Sequence, residues 1–182
     1  GKNAVQVVFR DMTEREKILN SLQETKEELE GIIESSPSAI VVHDMDGIIR
    51  LWSPAAEKIF GWKKDEIIGK PNPLVPHEYK KSYQSHLKKI AKGKRYILSD
   101  VESLTKNGKR IYISLSVSPL LNSKGKVEKM LAIMTDINKR KNAELQLKES
   151  ENRYRTIFEN TGAATILFNK EGLITLTNSE ME

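Results

Sequence analysis

Few side chains in this sequence are equipped for chemistry, and their spacing argues for binding rather than catalysis. There is no cysteine, which removes disulfides, thiolate zinc sites and any cysteine nucleophile, and which fits a reducing compartment. Gly31, Gly47, Gly61 and Gly69 stand singly at turns and helix ends, so no glycine-rich phosphate loop is present. Asp44 and Asp46 are close in sequence, yet they flank a turn, where a solvated acid is the ordinary occupant. No Ser–His–acid spacing and no paired-histidine motif occurs, so no catalytic residue and no metal ligand is assigned. His43 sits in a short apolar run and reads as structural or exposed. A helix predicted from Pro76 to about Lys92 carries Tyr79, Tyr83, His86, Leu87 and Ile90 along one side.

The elements that must position that helix begin with residues 39–62. Ala39 to His43 and Ile48 to Trp52 are apolar runs joined by Asp46-Gly47, a two-residue turn signal, and so predict a mostly buried hairpin. Ser53 then caps a short helix that opens on Pro54 and ends at Gly61, with Ala55, Ala56, Ile59 and Phe60 at helical spacing. Asp65 to Gly69 predicts another helical turn. After the 76–92 helix come strands Tyr96–Thr105, Ile111–Leu120 and Val127–Thr135, with Asn107-Gly108 as the first hairpin turn. Ile111, Ile113, Leu115 and Val117 alternate with Tyr112, Ser114, Ser116 and Ser118, one greasy face and one polar. This order predicts an α+β fold: a five-stranded antiparallel sheet with short helices on one face, flanked by long linker helices.

The pattern recurs. An offset of 125 residues lays Gly47 on Gly172, Ile49 on Ile174 and Leu51 on Leu176, and upstream Asp11 on Asp136 and Leu22 on Leu147. A period this long means tandem copies of a whole domain. By the same offset Val5–Phe9 corresponds to the closing strand of a preceding copy. Thr13 and Glu16 form a capping box for a helix running to about Glu34. Its seam, Ile18, Leu22, Thr25, Leu29 and Ile32, has heptad spacing, and Ala143, Leu147, Ser150, Tyr154 and Ile157 repeat it. A lone amphipathic helix packed on its own domain is the alternative to a parallel coiled coil. Residues 163–182 hold only an opening hairpin, expected to fray or to pair with another chain's edge.

At 182 residues and a net charge of +5, basic and acidic side chains are nearly balanced, which argues against nucleic acid. No apolar run approaches the roughly 20 residues of a membrane span.

These residues resemble the PAS family. The carriers are D-M-D-G-I-I-R-L-W-S-P-A-A-E-K-I-F-G-W, K-N-G-K-R-I-Y-I-S-L-S-V-S-P-L and the exit motif T-D-I-N-K-R-K, matched upstream by D-M-T-E-R-E. The resemblance implies five segments: residues 1–12 ending a preceding PAS domain, a helical linker 13–34, a complete domain 35–136, a second linker 137–160, and the opening hairpin of a following domain, 161–182. It implies a cytoplasmic sensory module of a two-component type. Its signal would leave through the exit motif (Asp11, Thr13, Asp136, Asn138) into coiled-coil linkers of a homodimer. The dimer seam would be Ile18, Leu22, Leu29, Ile32, Leu147, Tyr154 and Ile157. An output kinase or cyclase would lie outside this chain, with no nucleic-acid partner and no membrane within the segment. A pocket between helix and sheet would be lined by Trp52, Tyr83, His86, Ser103, Leu115 and Val117, and would hold an unknown small molecule or none. Lack of cysteine excludes the flavin–cysteinyl adduct. Haem is disfavoured, because Tyr83 stands where oxygen-sensing members place their iron-ligating histidine and Ser99 where they tend to place an arginine; His86 lies one turn further on. A ligand-free dimerisation scaffold is the alternative in another class.

Overall fold

The computed structural model describes residues 14–181. The chain divides into two units, one ending at Asp136 and the other beginning at Ile137. The first helix, α1 (Lys2–Ser35), is described from Glu14 onward. The closing strand expected at Val5–Phe9 and the exit-motif positions Asp11 and Thr13 lie outside the described residues.

The first hairpin forms at its turn signal, pairing β1 (Ala39–Asp44) with β2 (Ile49–Trp52). Gly47 adopts φ +82°, which a side chain would resist. One carboxylate oxygen of Asp44 accepts the backbone N–H groups of Asp46 and Ile48 at 3.1 and 2.9 Å. Arg50 grips the other through Nε and Nη2, at 2.9 and 2.6 Å. Ser53 then joins strand to helix. Its buried hydroxyl oxygen accepts the N–H of Ile40 (2.9 Å) and of Ala56 (3.3 Å), and its own N–H donates to the Ile40 carbonyl at 3.0 Å. It thereby caps α2 (Pro54–Phe60), which Gly61 closes in the left-handed region.

Two short helices follow. α3 (Lys64–Ile67) covers part of the core with Ile67. The helix expected from Pro76 to Lys92 is shorter and starts differently: a 3₁₀ turn at His77–Tyr79, then α4 (Lys80–Ile90). Tyr79, at φ −96° and ψ 0°, lies between the two windings, so the turn after Pro76 is tight before the α-helix begins.

The meander β3 (Tyr96–Leu104), β4 (Arg110–Leu121) and β5 (Val127–Asp136) completes an antiparallel sheet of order β2-β1-β5-β4-β3. β1 pairs with β5 over its whole length, from Ala39 opposite Met134 to Asp44 opposite Lys129. The pairing of β3 with β4 is interrupted between Leu98 and Val101, with Asp100 at φ +58°. α2, α3 and α4 lay Phe60, Ile67 and Ile90 against Val41, Ile113, Met130 and Met134 of the sheet. Fully burying a side chain such as Phe60 or Ile49 stabilises by about 1.5–3 kcal/mol.

The second unit holds α5 (Asn138–Glu159), β6 (Ile166–Phe168) and β7 (Ile174–Thr177). In the stretch expected to fray or to pair with another chain's edge, β6 and β7 pair with each other as a hairpin. Its register, Ile166 opposite Thr177, Leu167 opposite Leu176 and Phe168 opposite Ile174, is that of Val41–Trp52, Val42–Leu51 and His43–Ile49, displaced by 125 positions. The local bonding also repeats. Asn169 takes the N–H groups of Glu171 and Leu173 as Asp44 takes those of Asp46 and Ile48. Buried Asn178 stands in for Ser53: its Oδ1 accepts the Thr165 N–H at 2.8 Å, and its Nδ2 donates to the carbonyls of Phe158 and Ala163.

Removing the Ser53 hydroxyl strands two N–H groups in the interior. Ser53→Ala therefore lowers stability by about 1–2 kcal/mol, read as an earlier urea midpoint of tryptophan fluorescence. Asn178→Ala instead strips hydrogen-exchange protection from the Thr165 amide; an amide still protected in that variant shows that the side chain does not hold the hairpin.

Candidate functional site

Between α4 and the concave face of the sheet lies a cavity of about 440 Å³. Its walls are mostly apolar. Val41 comes from β1, Ile113, Leu115 and Val117 from β4, Ala132 and Met134 from β5, and Leu87 and Ile90 from α4. The alternation read from the sequence aims the β4 side chains inward, because residues two apart share a face of a strand. Among its polar groups are Tyr83 and His86 on α4, Ser103 on β3, and Asn72 from the loop before α4.

Five of the six expected pocket residues, Tyr83, His86, Ser103, Leu115 and Val117, border this cavity together. Trp52 does not. Its indole N–H donates to the Trp62 carbonyl at 3.0 Å, and its ring packs 5.8 Å from that of Phe60. It belongs to the packed core with Phe60 of α2 and is not a cavity wall. Ser99 lies exposed in the β3 irregularity. Asp136 ends β5 and Asn138 begins α5. The seam residues Ile18, Leu22, Leu29 and Ile32 of α1, and Leu147, Tyr154 and Ile157 of α5, are each more than half exposed.

His43, read from sequence as structural or exposed, is a cavity wall and only 4% exposed. The signal was present, since Ala39, Val41 and His43 alternate onto one face of β1. Its Nδ1 lies 3.3 Å from the Asp44 carbonyl, an acceptor, so Nδ1 carries the proton and Nε2 is left as an acceptor. Its ring centroid is 6.3 Å from that of Tyr83. Burial holds the His43 pKa below the usual histidine value, overriding the opposing pull of Asp44, so the ring is neutral near pH 7. Burial likewise raises the Tyr83 pKa, against a weaker opposing bond from Asn72, and the phenol keeps its proton. Asn72 Nδ2 donates to the Tyr83 oxygen at 3.5 Å, leaving the phenol O–H to donate elsewhere. Ser103 Oγ donates to the Leu74 carbonyl at 3.1 Å. His86 meets Tyr96 edge-on at 5.3 Å.

The rim is polar and tied. Arg110 donates to Glu78, in the turn before α4, and to Glu102 on β3 at 2.6 Å. Among the described residues no lysine or arginine lines the cavity, and no group of three potential metal ligands occurs. No helix among the described residues is long and apolar enough to cross a membrane.

The depressed pKa of His43 fixes a pH dependence. The unfolded chain binds a proton near the ordinary value of 6.5 that the buried ring refuses. Stability is therefore complete above that pH and falls as pH drops below it, by at most about 1.4 kcal/mol per pH unit. His43→Phe flattens this part of the curve, checked by urea unfolding at pH 5.5 and 7.5.

The comparisons with known proteins agree with this architecture. The chain is 35% identical over 81 residues to sensor protein FixL of Bradyrhizobium diazoefficiens, covering 44% of this chain and 16% of FixL. It is 24% identical over 134 residues to the signal transduction histidine-protein kinase AtoS of Escherichia coli, covering 74% of this chain and 22% of AtoS. The chain thus spans less than a quarter of either relative. A solved PAS domain from Colwellia psychrerythraea matches in fold with a TM-score of 0.58 and 24% identity, over 63% of this chain and 98% of that one. The family described as the PAS fold matches residues 27–137, more than half of the sequence, and this chain belongs to it.

Proposed function

We propose that residues 35–136 are the sensing module of a larger cytoplasmic signalling protein, in which a small organic molecule held between α4 and the sheet biases the exit into α5. The observation that carries this reading is that Ala132 and Met134 are cavity walls on β5, the strand that ends two residues before α5 begins. A ligand pressing on those walls acts on the strand that leaves the domain. The linkers 13–34 and 137–160 join two copies in a parallel coiled coil, with no nucleic acid or membrane contacted by this segment. Support comes from seam side chains at heptad spacing that are largely exposed in the single chain. Residues 1–12 close a preceding PAS domain and residues 161–182 open a following one. The repeated register and the Asn178 substitute for Ser53 support that tandem order. The output, a kinase or a cyclase, belongs to another part of the parent protein, as the sensor and kinase names of its relatives suggest.

Haem fits the cavity poorly. Its propionates need cationic partners, and no lysine or arginine is among the walls. His86 is placed against the Tyr96 ring. A ligand-free scaffold is the competing reading, and the same experiment separates the two.

Because the chain has no cysteine, single cysteines report cleanly. Oxidation of Leu22→Cys and Leu147→Cys gives cross-linked dimers, whereas Glu27→Cys, outside the seam, does not. Filling the cavity with Ala132→Phe then changes the Leu147→Cys yield at least twofold. An unchanged yield means the cavity does not bias the exit helix, and the scaffold reading replaces the sensor. Thr25→Leu strengthens the seam and tightens self-association in sedimentation; an unchanged profile removes the coiled coil.

A further inference from the structure

The chemical class of the ligand follows from the polarity of the walls, given the sensing reading above. We infer that the cavity selects an uncharged, largely apolar ring compound bearing one hydroxyl group, which donates to His43 Nε2 and accepts from the Tyr83 hydroxyl.

Three observations converge on this. His43 is nearly buried, its Nδ1 is spent on the Asp44 carbonyl, and Nε2 has no protein partner. Among the described residues no fully buried side-chain nitrogen or oxygen lacks a partner, so Nε2 opens onto the cavity rather than onto packed protein. Tyr83 accepts from Asn72 and retains a proton to give. Both residues line the cavity, their ring centroids 6.3 Å apart, a separation that suits one ligand group able both to give and to take a hydrogen bond.

Charge is selected against. The lysines of α4, Lys80, Lys81, Lys88 and Lys89, are exposed, while Tyr83, Leu87 and Ile90 form its cavity side. The acids that border the cavity, Asp100 and Glu102, belong to its rim; Asp100 is exposed and Glu102 is paired with Arg110. A carboxylate or phosphate inside would lose its water and find no cation, and an ammonium would find no buried acid. The size suits a bicyclic ring system, since sites of about 300–1,000 Å³ hold compounds of that scale.

Fluorescence titration of the whole chain with 2-naphthol, 2-methylnaphthalene, 2-naphthoate and 2-naphthylmethylamine tests the assignment. The naphthol binds saturably, and each of the other three binds about tenfold weaker or worse. His43→Phe weakens the naphthol about tenfold and leaves 2-methylnaphthalene unchanged. The second hairpin carries Phe168 at the matching register position, so phenylalanine suits this strand. Should that variant nevertheless misfold, Tyr83→Phe gives the same test through the other partner. Tighter binding of the carboxylate or amine, lost in Ala132→Phe, overturns the ligand class and leaves the cavity as the sensing site. Naphthol binding that survives Ala132→Phe lies elsewhere and overturns both. Absence of saturable binding by every probe also overturns the class.

Discussion

The first unit holds together because β1 pairs with β5. The two strands meet from Ala39 opposite Met134 to Asp44 opposite Lys129, across most of the length of the domain. Hairpins and helices on either side form from local signals, but only this ladder joins the opening hairpin to the closing meander. Its cost is the closure of a long loop, which rises slowly with length, so a six-residue ladder with buried neighbours suffices. The cavity depends on the same pairing. Val41 comes from one strand and Ala132 and Met134 from the other, and neither hairpin alone presents that floor.

The junction at Ser53 shows how little chemistry such a fold needs to define a corner. One hydroxyl oxygen caps α2 and pins the start of β1 by accepting two N–H groups. In the second unit Asn178 does more with an amide, accepting from Thr165 and donating to the carbonyls that end α5 and begin the hairpin. Different side chains at one register position thus solve one problem: buried backbone groups at a strand–helix corner require a partner. The second hairpin lacks the ladder that β5 gives β1, and the amide's extra bonds offset part of that loss.

What the sequence disclosed was local. Asp46-Gly47, Ser53-Pro54 and Asn107-Gly108 mark turns and caps whose causes lie within a few residues, and the strands between them follow. The alternation of Ile111, Ile113, Leu115 and Val117 also located the inward face of β4. Long-range placement was less legible. Trp52 has the aromatic bulk of a pocket residue, but its ring is taken up by Phe60 of α2, a partner its own neighbours in sequence do not reveal. His43 follows the inward alternation, yet a histidine in an apolar run carries no mark distinguishing a wall from a surface. The irregularity at Ser99 and Asp100 has no sequence signature either. Asp100 accepts a left-handed backbone, tolerable for aspartate at modest cost, because the sheet edge requires it.

A cavity of this size must be held apart by something, since side chains otherwise close on one another to near-crystalline density. The ties sit at the mouth rather than within. The loop before α4 is fixed to β3 by Leu104 N–H and Ser103 Oγ, both donating to the Leu74 carbonyl. Arg110 bridges Glu78 to Glu102 just outside. Asn72 is anchored twice, its N–H to the Gly47 carbonyl and its Oδ1 to the Leu74 N–H. These bonds set the distance at which α4 enters the domain, so α4 stands off from the sheet although its inner side is apolar. A ligand that filled the space would gain contacts the protein cannot make by itself.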